Sequence, residues 1–207
     1  MRSEYEQTGI PFDPAGVRIA RMSETIDVIR RLWTESDVRH EGRFSTLDGL
    51  TLTPRPATQA GPPILVGGGG PKVLATAARQ ADIVAFNPRA TPDGSQDRQD
   101  MTATAADRKR DWVREAAGER LSSLEINIVV TRVVPTADRE EAAASLGEEF
   151  GLTVIETLES PHFLIGTDEE MAATIRERRE RYGISYGSVT EPALSHFGPV
   201  MSILRGS

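Results

Sequence analysis

A run of four consecutive glycines, Gly67, Gly68, Gly69 and Gly70, lies between two apolar stretches and constrains this chain more than any other feature. The surrounding sequence, PPILVGGGGPKVLATAARQADIVAF, occupies residues 62–86. It predicts a buried strand over 64–66, a helix over 71–80 opened by Pro71, and a second buried strand over 82–86. Glycines let backbone N–H groups approach a ligand closely, and a helix opening behind them adds partial positive charge. Gly67, Gly68, Gly69, Gly70, Pro71 and Lys72 therefore form a candidate cradle for a cofactor phosphate. A flexible turn is the plainer reading of such residues, but four glycines in a row exceed what a turn needs. Lys72 either adds a cation to the phosphate or stands as a solvated first-turn side chain. The run lacks both the Gly-Lys-Ser/Thr ending of a P-loop and the fixed spacing of a dinucleotide fingerprint.

The rest of the chain alternates in the same way. Asp13-Pro14 reads as a helix start, and Ile19, Met22, Ile26, Ile29 and Trp33 recur at spacings of three and four. A short hairpin is expected over 38–40 and 43–45, around Glu41-Gly42. After the strand at 82–86 comes a polar loop, 87–100, long enough for a mobile lid or an active-site loop. A helix over 104–117, a β-branched strand over 124–134 and helices around 138–150 and 153–158 follow. Thr153-x-x-Glu156 and Thr167-x-x-Glu170 both fit the capping box. The second opens a charged helix closed by Gly183, and a strand over 184–189 and a last helix complete the chain. Four strand-helix units imply parallel pairing. They fit a small open sheet or half of an eightfold barrel, and periodicity does not choose between them.

Composition narrows the function classes. The 207 residues are 38% hydrophobic and 27% charged, an ordinary balance for a single globular domain. A net charge of −7 argues against a nucleic-acid partner or an anionic membrane, both of which need a basic face. With no cysteine, disulfides, cysteine-ligated zinc and thiol catalysis are excluded. The polar N-terminus has no signal-peptide core, and no apolar run approaches the length of a membrane span. A soluble cytoplasmic protein acting on a small molecule is expected.

The residues also carry a family likeness. EYEQTGIPFDPAGVRIARMSETIDVIRRLW, then EGRFSTLDGL, then PRPATQAGPPILVGGGGPKVLATAARQADIVAF resembles the luciferase-like flavin and deazaflavin oxidoreductase superfamily. The likeness is closest to its actinobacterial members that use the deazaflavin coenzyme. SPHFLIGTDEEMAATIRERRERYGISY is similar to that family's last barrel unit, where a Gly-Thr pair opens the helix before strand eight. The resemblance implies an α/β fold, the C-terminal half (about four βα units) of a (β/α)8 TIM barrel. It further implies a deazaflavin cofactor (coenzyme F-420), with FMN as the alternative, and hydride transfer to or from a small organic substrate. In the family, the residues after strand five, here Gly67 to Lys72, lie at the cofactor's phosphate-bearing tail.

A full barrel of about 250 residues would carry four more strands ahead of Glu4. The expectation is one domain over 1–207, an N-terminally shortened barrel, catalytically silent alone and with sheet edges that favour a homodimer. The alternatives are an FMN-dependent monooxygenase of the same luciferase-like group, a non-catalytic fragment or partner subunit, and an unrelated phosphate-ligand domain with an open four-stranded sheet. No catalytic residue is assigned, and no metal site, because His40, His162 and His196 lack partners at ligand spacing. His162 is read as a packed or surface imidazole ahead of a barrel-mouth role. Arg18 with Arg21 is read as a solvated face, and the mixed-sign run Glu177 to Arg181 as helix support through an i,i+4 pair of Glu177 with Arg181. Glu4 and Tyr5 are read as frayed, and Asn87 as a turn residue or a polar group facing the ligand.

Overall fold

The computed structural model describes residues 2–91 and 95–205. An N-terminal helix, α1 (Arg2–Thr8), precedes the long helix α2 (Ala15–Thr34), and a hairpin of β1 (Val38–Glu41) and β2 (Thr46–Leu50) follows. Then come β3 (Leu65–Gly68), α3 (Pro71–Gln80), β4 (Ile83–Phe86), α4 (Ala103–Ala117) and β5 (Glu125–Val130). The chain continues through β6 (Arg132–Pro135), α5 (Arg139–Phe150), α6 (Val154–Glu159), β7 (Phe163–Gly166), α7 (Asp168–Tyr182), β8 (Ile184–Val189) and α8 (Leu194–Arg205).

Four strands form one parallel sheet in the order β3-β4-β5-β8. These are the four strands the sequence predicts. Val66, Val84, Phe86, Ile126, Ile128 and Val130 alternate onto one face and are buried against Leu74, Ala77 and Met171 of the helices. On the other face Leu65, Val129 and Tyr186 are 46%, 38% and 42% exposed, while Ala85 and Asn127 are buried, Asn127 by bonds to β8 rather than by a helix. Helices thus cover one face alone, as in a barrel wall. An open doubly covered sheet, the third alternative, would bury both.

Several boundaries differ from the sequence expectation, each for a local reason. The strand expected over 124–134 divides at Thr131, whose amide donates to the His162 carbonyl at 2.7 Å. Before that point β5 pairs with β4 and β8; after it β6 pairs with β7. Periodicity marks extended backbone but not its partner. The four residues of β7, all buried, are too short and too uniform to show alternation. The hairpin is shifted because Arg43, Phe44 and Ser45 form its turn, their amides all donating to the Glu24 carboxylate of α2. Pro14, not Asp13, occupies the N-cap of α2; the Asp13 carboxylate is taken by Arg21 at 2.5 Å. Glu4 and Tyr5, expected to fray, lie in α1, and the Tyr5 ring meets Phe12 edge-on at 5.1 Å.

The remaining caps follow the sequence. Thr102 and Asp138 cap α4 and α5, and both capping boxes are formed, at Thr153 with Glu156 and at Thr167 with Glu170. Gly183 ends α7 with φ of 76°, the left-handed turn that favours glycine.

Candidate functional site

The site is built where β3 runs out and α3 begins. Gly67 and Gly68 pair with Ala85 and Phe86 of β4, and the Asn87 amide donates to the Gly68 carbonyl at 3.1 Å. None of the four glycines has a positive φ, so their absent side chains matter for closeness and not for handedness. A Cβ on Gly67 would lie 2.6 Å from Asn87 Nδ2, and one on Gly68 would overlap the Val73 side chain. A Cβ on Gly69 would lie 2.5 Å from the Arg89 amide nitrogen. Three of the glycines therefore let neighbouring segments press onto the end of β3. Gly70 is different: a Cβ there meets nothing within 4 Å.

Gly70 is the N-cap of α3, extended at φ −105° and ψ 157°, with no side chain capping the first turn. Its carbonyl accepts from the Leu74 amide at 3.1 Å. The amides of Lys72 and Val73 point out of the helix end without an intrahelical acceptor, and Pro71 has none to offer. Lys72 is exposed in the same turn and forms no ion pair among the described residues. Two free donors, the positive end of a helix, a cation within reach and open space at Gly70 together fit one anionic group.

Asn87 lies beside Gly67, so one of the polar groups named from sequence does reach the end of β3. The loop behind it is pinned where described. The Asp100 carboxylate accepts from the Arg89 amide at 2.9 Å and meets Lys109 Nζ at 2.8 Å, both acid and base being 1% exposed in their side chains. Burial pushes the Lys109 ammonium below its ordinary pKa, and Asp100 works against that shift. Residues 92–94 of this loop lie outside the described residues.

The other candidates are placed elsewhere. His162 is 2% exposed, with Nδ1 3.0 Å from the Val129 carbonyl, and burial pushes it down to about 4, so it is neutral at pH 7. His196 is exposed on α8, while His40 sits 3.3 Å from Glu24. No cluster of three metal-ligating side chains occurs among the described residues. Arg18 lies over the Phe12 ring at 4.0 Å and Arg21 pairs with Asp13, so neither charge turns toward the glycines. The run Glu177 to Arg181 contains one group that composition hides: Arg178 is 6% exposed and donates to the carbonyls of Ser160, Pro161 and Phe163 at 2.7, 3.2 and 2.5 Å. Its spacing from Met171 and Tyr182, seven and four residues, marks it as belonging to the buried stripe of α7. Arg181 pairs with Asp107 on α4 at 2.7 Å and not with Glu177.

Residues 2–183 match the family model described as luciferase-like monooxygenase. The chain belongs to that family. A curated F420-dependent glucose-6-phosphate dehydrogenase of Nakamurella multipartita is 32% identical over 134 residues, 65% of this chain and 37% of that protein. Among solved structures, EDTA monooxygenase from Chelativorans sp. BNC1 superposes with a TM-score of 0.70 at 14% identity, over 97% of this chain and 62% of that one. An F420-dependent secondary alcohol dehydrogenase bound to an F420-acetone adduct gives 0.60 at 20% identity, over 89% and 59%. The luciferase-like chain thus spans about 60% of these barrel enzymes and 37% of the curated relative. Its four-stranded sheet is part of a (β/α)8 barrel, in a family of flavin- and F420-dependent oxidoreductases and monooxygenases. No helix among the described residues is long and apolar enough to cross a membrane.

Proposed function

We propose that the chain is the C-terminal, cofactor-holding part of a deazaflavin-dependent oxidoreductase, folded as one domain. The phosphate-bearing tail of the cofactor would lie at Gly67–Lys72, on the amides of Lys72 and Val73. The observation that carries this is the uncapped first turn of α3, open on the Gly70 side alone. A bound deazaflavin supplies hydride transfer to or from a small organic substrate. The residues of this chain bind and orient. Gly67, Gly68 and Gly69 hold the end of β3 against its neighbours, which fixes where the amides point. Lys72 adds a cation that water screens only in part. Asp100 and Lys109 keep the loop after β4 from falling into the ligand's space. The relative at 32% identity is F420-dependent, which favours deazaflavin over FMN and makes glucose 6-phosphate the first substrate to assay.

The test is a fluorescence titration of oxidised deazaflavin, and separately of FMN, with the chain and its Gly70→Asp variant. Aspartate caps a helix slightly better than glycine, by a few tenths of a kcal/mol, so the fold is kept. Its carboxylate occupies the anion position, and affinity should fall at least tenfold, about 1.4 kcal/mol. Equal binding by both proteins, with circular dichroism unchanged, would remove the cradle.

A further inference from the structure

A cleft of about 360 Å³ lies between α7 and the α5–α6 pair, lined by Arg139, Glu159, Glu177, Arg178, Arg181 and Tyr182 among others. It shares no residue with the glycine turn. Two buried donors border it without a partner. Tyr182 is 3% exposed, and its hydroxyl forms no hydrogen bond. Its ring packs in the core behind α7, while the hydroxyl end, leaning one turn back along the helix, stands among the charges of Arg181, Asp107, Arg178 and Glu159. Burial holds that phenol above its ordinary pKa, so it keeps a proton to donate. Arg139 Nε is buried and equally without an acceptor. A buried donor left unsatisfied destabilises a fold, and native proteins keep few of them.

The charges around the cleft are separated rather than paired. The Glu170 carboxylate is occupied by the Thr167 amide at 2.8 Å, and Arg181 by Asp107 at 2.7 Å. Arg178 donates to three carbonyls and meets no carboxylate at ion-pair distance. Among the described residues neither Arg139 nor Arg178 has an acidic partner, and neither Glu159 nor Glu177 a basic one. Burial lowers the Arg178 pKa to about 10; Tyr182 and Glu177 oppose that shift and Arg139 adds to it, so all three face the same guanidinium. Two cations and two carboxylates thus border one space.

We propose that this cleft binds a free α-amino acid as its zwitterion. The carboxylate lies toward the two unsatisfied donors, Arg139 Nε and the Tyr182 hydroxyl, with the Arg178 charge behind them. The ammonium lies toward Glu159 and Glu177, both exposed at the mouth. Leu158 and Ala173 offer the ligand's side chain an apolar wall. The two glutamates oppose a dianion such as phosphate and the two arginines oppose a simple amine, so neither half of the ligand suffices alone.

Isothermal titration of the unaltered chain with each of the common amino acids, and with acetate, ethylammonium and phosphate, tests this without any cofactor. At least one amino acid should bind saturably, and roughly tenfold more tightly than any of the three partial ligands. Tyr182→Phe should weaken that amino acid about tenfold, the worth of a hydrogen bond to a charged group, while the melting temperature of the free chain holds or rises. Arg139→Gln should weaken it likewise with the circular dichroism unchanged. Glu159→Gln combined with Glu177→Gln should turn the preference toward acetate and phosphate. Failure of every amino acid to bind overturns the proposal. So does acetate or phosphate binding as tight as the best amino acid, or unchanged affinity in either Tyr182→Phe or Arg139→Gln. A lower melting temperature in Tyr182→Phe overturns it too, because the hydroxyl would then have a structural partner.

Discussion

Lys109 carries its ammonium into the layer between sheet and helices, where Asp100 meets it at 2.8 Å and accepts also from the loop amide of Arg89. Leaving one charge of a buried pair alone costs about 3–5 kcal/mol, and Arg89 and Arg108, 3.4 and 3.7 Å from Asp100 Oδ1, offset part of that here. Lys109→Met should therefore lower the urea midpoint sharply, and adding Asp100→Asn should recover much of the loss; an unchanged midpoint in the single variant would refute the role. His162 has a pKa of about 4 against an ordinary 6.5, so its folded state resists the proton. Its contribution is complete above pH 6.5 and is lost as pH falls toward 4, by up to about 3 kcal/mol. Thermal unfolding across that window should show the loss in the parent chain and a flatter profile in His162→Gln. The positions of these groups were readable and their states were not. Lys109 falls four residues from both Ala105 and Val113 on the buried stripe of α4, as Arg178 does from Tyr182 on α7. Arg178 lies in a run that reads as helix support and Lys109 prompts no reading, and the fold supplies three carbonyls for the one and Asp100 for the other.

At the scale of elements, local chemistry predicted ends better than partners. Thr153 and Thr167, each three residues ahead of a glutamate, form the reciprocal bonds their spacing implies. Thr167→Ala should cost about 1 kcal/mol of stability in chemical denaturation, since the Glu170 amide loses its acceptor. Glu24 shows the converse. Burial works to raise its pKa, but bonds from Ser45, Phe44 and His40 prevail and hold it at about 2. That carboxylate decides where the hairpin turns, from a helix about twenty residues away in sequence, and no hairpin rule contains it. The glycine quartet divides the same way. Gly67 and Gly69 are needed by packing against residues 87–89 and Gly68 by Val73, contacts invisible before β4 and α3 are placed. Of the four, Gly70 alone has open space where a side chain would stand.

For the whole molecule, the count of parallel strands followed from the alternation of strand and helix, while the choice of barrel over open sheet did not. Helices packed on a single face of β3-β4-β5-β8 decide it, because strand periodicity reads the same in both architectures. The family likeness in the residues agrees with the match over 2–183 and with the solved barrels. At Thr131 the pairing switches, so that β5 belongs to the main sheet and β6, next in the chain, to the small one. The β6–β7 layer, on which α5 and α6 pack, therefore joins the main wall within a single residue of chain.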